Sequence, residues 1–245
     1  MKKKDKIVAV VGARGGSKGV PKKNILLLNN KPLITYVLNT LLKVRSIDRI
    51  IVSTDSLDIK KVVKNFNNEI EVRDRNKKLA LDNTPLTSVA KSVANDLFFE
   101  GYKPDIILQV APTCPFTSVK TVVNIINNLV KKKTDCSVTL KKIEHEHPYR
   151  AKILSQKNNI FRSFIKNINV EKFISRQDLP TLYCTSGAIY ARGFDLLKKF
   201  EEKDFCLGKK PLGVIVDDIE SVNIDRFLDF YFAEYLIKRK HFVYE

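Results

Sequence analysis

The chain has 245 residues, with 44 Lys and Arg against 27 Asp and Glu, a formal charge of +17, 44% hydrophobic residues, 9 Gly and 9 Pro. That apolar share is close to the ~45–50% of folded domains, and so excludes a disordered or collagen-like chain. Lys, Asp or Asn interrupts every apolar run well before ~18 residues, which excludes a membrane-crossing helix.

The run Lys6–Ala13 is continuously apolar between charge and glycine, which predicts a buried first strand. Leu33–Val44 has apolar residues at helical spacing, with Pro32 near its first turn. Arg49–Thr54 reads as a strand, Leu57–Phe66 as a helix, Glu69–Val72 as a short strand and Leu86–Phe99 as a long helix. Asp105–Val110 is a further buried strand, followed by a helix over Ser118–Lys131 and a strand over Asp135–Leu140. From 141 to 185 the pattern turns short, mixed and polar, and predicts an extended or antiparallel excursion. Gly187–Ala191 and Val214–Val216 resume as strands, and Ile224–Arg239 closes the chain as an amphipathic helix. The strand–helix alternation predicts an α/β fold, a mostly parallel sheet with helices on both faces, in one domain over 1–245.

Ligands in such sheets bind at the carboxyl ends of the strands. The first of these ends is Gly12–Asn24, a loop holding four glycines and the cations Arg14, Lys18, Lys22 and Lys23. Bendable backbone with exposed N–H groups and fixed cations is what a polyphosphate requires. The glycines at 12, 15, 16 and 19 fit neither the G-x-x-x-x-G-K-[ST] loop nor G-x-G-x-x-G.

The stretch A-R-G-G-S-K-G-V-P-K-K-N followed by K-P-L-I resembles the start of the sugar-acid cytidylyltransferases, above all the CMP-N-acetylneuraminate (sialic acid) synthetases. Four more stretches agree in order: Ile51–Ser56, Leu79–Thr84, Arg176–Pro180 with Gly187–Tyr190, and Ser221–Asp225 with Leu228–Phe230. The resemblance implies a Rossmann-like nucleotidyltransferase fold. It also implies a Mg²⁺-dependent transfer of CMP from CTP to an anionic nonulosonic keto sugar acid, releasing pyrophosphate. Another nucleotide or sugar acid, or a catalytically weakened homologue, are the alternatives.

Carried over by position, the nucleotide side comprises Ala13, Arg14, Ser17, Lys18, Lys23, Asn24, Thr84 and Arg75, with Arg73 the competing choice. Arg14, Lys23 and Asp225 are the expected catalytic residues. The sugar side comprises Gln109, Arg176, Gln177 and Arg150 or Lys152; a guanidinium grips a carboxylate in bidentate fashion. Asp225 and Asn223 correspond to the metal-holding aspartate pair, with the first aspartate replaced by Asn. An amide oxygen still ligates a hard cation but brings no charge, and Asp217 and Asp218 lie near enough in sequence to compensate. Ala111–Thr117 lacks the family's usual Gln and Arg, and Ser186 stands where Asn is usual. The resemblance also implies a homodimer formed through 141–185, with Ile160, Phe161, Phe164 and Ile165 compatible with that role.

His145 and His147 form H-x-H with no third ligand at metal spacing except the neighbouring Glu144 and Glu146, so the stretch carries no metal expectation. The cysteines Cys114, Cys136, Cys184 and Cys206 lack any C-x-x-C pairing and read as reduced thiols, in keeping with a cytoplasmic location. Lysine runs such as Lys131–Lys133 fall at helix ends, where cations complement the helix dipole. With no nucleic-acid-binding motif beside them, neither a nucleic-acid nor a membrane partner is expected.

Overall fold

The computed structural model describes residues 4–166, 169, 172–173 and 175–242. In chain order the strands are β1 (Ile7–Gly12), β2 (Leu27–Leu28), β3 (Lys31–Pro32), β4 (Arg49–Thr54), β5 (Glu71–Asp74), β6 (Ile106–Val110), β7 (Cys136–Lys142), β8 (Lys152–Leu154), β9 (Phe161–Ser163), β10 (Tyr183–Gly193) and β11 (Leu212–Ile215). The helices are α1 (Leu33–Leu42), α2 (Leu57–Phe66), α3 (Leu86–Phe99), α4 (Val119–Val130), α5 (Phe194–Lys198) and α6 (Phe227–Lys238).

Among the described residues seven strands form one sheet in the order β11-β7-β10-β6-β1-β4-β5. β1 pairs in parallel with β4 and β6, β4 with β5, and β7 with β11, whereas β10 runs against both β6 and β7. The expected mixed α/β sheet with helices on both faces is what the chain forms.

Strand alternation explains the two layers. Ile7, Ala9 and Val11 of β1 face a core shared with α1, α2 and α4. Val8 and Val10 face the opposite way, into a core with α3 and α5. A third cluster joins Leu28, Tyr36 and Phe116 to Phe230, Ala233 and Leu236 of α6, so the C-terminal helix is packed beside the loops at the strand ends. Ser56 caps α2 by accepting from the Ile59 N–H at 3.4 Å, and Ser118 caps α4 by accepting from the Thr121 N–H at 3.1 Å.

Some boundaries differ from the sequence reading, each for a local reason. Asn67 folds its own turn by accepting from the Glu69 N–H at 2.7 Å, which delays β5 to Glu71. The carboxylate of Asp229 accepts from the backbone N–H groups of Asp225 and Arg226, so α6 starts at Phe227 rather than Ile224. That helix is not amphipathic in the ordinary sense: Phe230, Ala233 and Leu236 are buried, yet Phe227, Leu228, Tyr231, Phe232 and Tyr235 stand exposed on its outer side. β10 begins four residues before the expected Gly187 and changes register between Thr185 and Tyr190. The excursion contains the β8–β9 hairpin and short 3-10 turns at Pro148–Arg150 and Arg176–Asp178.

Candidate active site

β1 stands between β4 and β6, so the chain leaves its carboxyl end toward one side of the sheet and leaves that of β6 toward the other. A crevice opens where such connections diverge. Here it is a cavity of about 400 Å³, walled by Gly12–Asn24, the segment Arg75–Leu86, Ala111–Thr113 after β6, Gly187 of β10, and Asn223 and Asp225.

The Gly12–Asn24 loop is tied down from several directions. The Gly15 N–H donates to Asp55 Oδ1 at 2.9 Å, and Asn24 Nδ2 donates to the Arg14 carbonyl at 3.0 Å. Gly19 lies so close to the C-terminal segment that a Cβ there would sit 2.2 Å from the Asp225 carbonyl oxygen, a contact only glycine permits. Lys23 crosses the same gap, its Nζ donating to the Ile224 carbonyl at 2.6 Å and to Asp225 Oδ1 at 2.8 Å. On the opposite wall Arg14 Nη1 donates to Asp82 Oδ1 at 2.6 Å, while Lys18 pairs with Asp82 Oδ2. Hydrogen bonding from Lys18, reinforced by Arg14, holds the Asp82 carboxyl below its ordinary value.

Three residues that line this cavity each carry a buried polar atom, Asn24 Oδ1, Arg75 Nε and Asn223 Oδ1, with no hydrogen-bond partner among the described residues. Arg75 is only 7% exposed, and burial lowers its pKa from the usual guanidinium value. Its Nη2 donates to the Ser53 carbonyl at 2.7 Å, which fixes the plane of the group. Buried polar groups are normally satisfied, and three orphans around one cationic cavity mark a surface shaped for a polar ligand.

Of the nucleotide-side residues, Arg14, Ser17, Lys18, Lys23, Asn24, Arg75 and Thr84 line this cavity, as do Asn223 and Asp225. Ala13 is fully buried beneath the loop, with its N–H donating to the Ser53 carbonyl at 3.0 Å. Arg73 is engaged elsewhere, in a bidentate pair with Glu100 at 2.7 Å. Asp217 accepts from the Glu220 N–H at 2.8 Å within its own turn.

Arg176 and Gln177 line a second cavity of about 480 Å³ together with Lys142, Glu144 and His147, and Arg176 is ion-paired with Glu144. His147 is a packing residue there, its Nδ1 accepting from the Tyr149 N–H and its Nε2 facing the Pro180 carbonyl at 3.1 Å. Arg150 ends the neighbouring 3-10 turn, and Lys152 Nζ donates to Ser163 Oγ at 3.1 Å. Gln109 is placed apart from both cavities: it is buried against α3, and its Oε1 accepts from Thr87 Oγ1 and Arg192 Nη1, both at 3.1 Å.

Sequence reasoning named the Leu79–Thr84 stretch without giving Asp82 a part, and it passed over Arg192 altogether. Asp82 gave no local signal, since its partners Arg14 and Lys18 lie in a distant loop. Arg192 gave none.

A divalent cation shared with a polyphosphate needs few protein ligands, because phosphate and water oxygens complete its shell. On this wall Asp225 Oδ1 accepts from Lys23 Nζ at 2.8 Å and Oδ2 from Asn223 Nδ2 at 3.1 Å, so a cation bound there would take the carboxylate from these donors, and the Asn223 amide would have to turn to add its oxygen. Among the described residues no group of three or more His, Cys, Asp and Glu is set to hold a metal.

The sheet order, the crevice and its cations define a nucleotidyltransferase-type α/β fold. A family model described as cytidylyltransferase matches residues 8–204, and the chain belongs to that family. It is 26% identical to a pseudaminic acid cytidylyltransferase of Campylobacter jejuni, over 96% of this chain and 98% of that protein. It is 28% identical to a CMP-N,N'-diacetyllegionaminic acid synthase of Legionella pneumophila, over 95% and 97%. Among solved structures, CMP-2-keto-3-deoxy-manno-octonic acid synthetase complexed with CTP shares the fold with a TM-score of 0.70 at 17% identity, covering 96% of this chain and all of that one. No helix of the described residues is long and apolar enough to cross a membrane.

Proposed function

We propose that 1–245 is one nucleotidyltransferase domain that activates a nonulosonic acid with CTP, giving the CMP-sugar and pyrophosphate. The observation that carries this reading is the 400 Å³ cavity, which Arg14, Lys18 and Lys23 line together with Asn24, Arg75 and Asn223, three residues that each hold a buried polar atom without a partner among the described residues. Pseudaminic, legionaminic and sialic acids are the substrates to test, since the relatives' names span all three and the sequence motifs point to the last.

In this reading the sugar's anomeric hydroxyl gives up its proton to solvent as its oxygen forms a bond to the α-phosphorus, and the bond to the bridging oxygen breaks with its electron pair leaving on pyrophosphate. Little covalent chemistry is asked of the protein, so positioning and fixed positive charge do most of the catalysis. Arg14, Lys18 and Lys23 neutralise charge on the departing pyrophosphate. Asn24, Arg75, Ser17 and Thr84 orient the nucleoside end. Asp225 and Asn223 would hold Mg²⁺, which when bound supplies further charge neutralisation at the phosphates. Arg176 and Gln177, with Arg150 or Lys152, grip the sugar-acid carboxylate.

The excursion is the proposed homodimer contact: Ile160, Phe161 and Phe164 are each at least 60% exposed on or beside β9. A cytoplasmic location follows from the need for CTP.

Thermal unfolding with CTP, ATP, GTP and UTP, each with and without Mg²⁺, tests the nucleotide. Ligand at ~100 times its dissociation constant stabilises by ~2.7 kcal/mol. A shift selective for CTP, followed by pyrophosphate release with one of the three acids, is the expected outcome. No shift with any nucleotide would overturn the proposal.

A further inference from the structure

Both oxygens of Asp82 are taken, one by Arg14 at 2.6 Å and the other by Lys18. These are the two cations of the Gly12–Asn24 loop that face the Arg75–Leu86 wall of the cavity, so the carboxylate occupies the donors that a phosphate would use. It belongs to a different loop, about half its surface is exposed, and the contact bridges 68 residues of sequence. Among the described residues no buried group anchors it in place.

We propose that Asp82 is a displaceable counter-ion: an entering polyphosphate takes Arg14 and Lys18 from it, and it recaptures them when pyrophosphate leaves. This rests on the nucleotide-site reading above and assigns Asp82 a positioning role within it. A carboxylate of charge −1 loses the exchange to a polyphosphate with several oxygens and more charge. It competes better with a monophosphate, which offers less of both. The site therefore favours triphosphate over nucleoside monophosphate. It also sheds pyrophosphate without leaving two bare cations facing each other across the crevice.

Asp82→Asn keeps the side chain's size and removes its charge. A unit charge a few ångströms away in a water-like dielectric is worth about fivefold in an equilibrium. Calorimetric titration with inorganic pyrophosphate should therefore show Asp82→Asn binding about fivefold more tightly than wild type, with the CTP-to-CMP affinity ratio reduced. Asp82→Ser should move both quantities in the same direction. Asp58→Asn removes another surface acid, paired with Lys22, and should leave pyrophosphate affinity unchanged.

If Asp82→Asn binds pyrophosphate as wild type does, or more weakly, while wild type binds CTP, this inference fails alone and Asp82 only braces Arg14. If neither wild type nor Asp82→Asn binds CTP or pyrophosphate, the nucleotide reading fails with it.

Discussion

Lys23 joins the first loop to the C-terminal segment, and Lys23→Met measures what that junction contributes. Methionine keeps most of the side chain's volume and removes every donor. The Lys23 side chain is 12% exposed, and its bond to the Ile224 carbonyl is 2.6 Å long. Hydrogen bonds from charged donors contribute about 1.5–3 kcal/mol. The ion pair to Asp225 adds little, because that carboxylate is 66% exposed and surface pairs contribute about 0–1 kcal/mol. The total is about 2–3 kcal/mol, and at this chain length each kcal/mol moves the midpoint by about 2–4 °C. The ligand-free unfolding midpoint should therefore drop by roughly 4–12 °C. The additional stabilisation by CTP should also shrink, because a phosphate-facing cation is gone. An unchanged ligand-free midpoint would refute the bracing argument. A lowered midpoint with a full CTP increment would confine Lys23 to holding the segment.

Other changes test separate parts of the structure. Gly19→Ala places a Cβ 2.2 Å from the Asp225 carbonyl, and overpacking of this kind costs about 1–3 kcal/mol; CTP titration should show affinity lost, and wild-type affinity would show that the loop has room to yield. Burial pushes the Cys114 thiol up to about 12 and the Cys136 thiol up to about 11, from an ordinary value of 9.0. Below pH 9 folded and unfolded chains both keep these protons; between 9 and about 11 the unfolded chain alone loses them, so stability falls as pH rises through that window. Denaturant titrations at either end of it, on wild type and on Cys114→Ala/Cys136→Ala, should show a steeper fall for wild type; parallel profiles would refute the assignment.

The strands and helices that carry the nucleotide cavity were legible because each obeys one period without interruption. β1 is a pure apolar run, and α2 and α3 begin and end where sequence patterning places them. Alternation along β6 also carried more information than its motif did. Gln109 shares a side with Ile107, so it faces the α3 layer and meets Arg192 there, not the crevice. The outer face of α6 was not legible, since its aromatics occur all round the helix and periodicity cannot rank them. Nor was the start of β10: Gly187 has a φ of +81°, and a glycine in that conformation reads as a strand boundary although the strand continues through it. Asp82 escaped because its partners are set by tertiary structure and leave no local pattern.

The antiparallel direction of β10 has a consequence for how the two cavities can vary. The chain leaves the sheet at Lys142 and re-enters at Tyr183, and those two residues are opposite each other in the ladder. The Ile143 N–H donates to the Leu182 carbonyl at 2.9 Å, closing the stem one step further out. The segment between is thus a cassette on a zipped stem, entering and leaving through adjacent positions. Its length and composition can be exchanged while the strand order, the Gly12–Asn24 loop and Lys23's hold on the C-terminal segment stay as they are. The segment that meets the second cavity is free to diverge while the part of the chain that meets the first is kept.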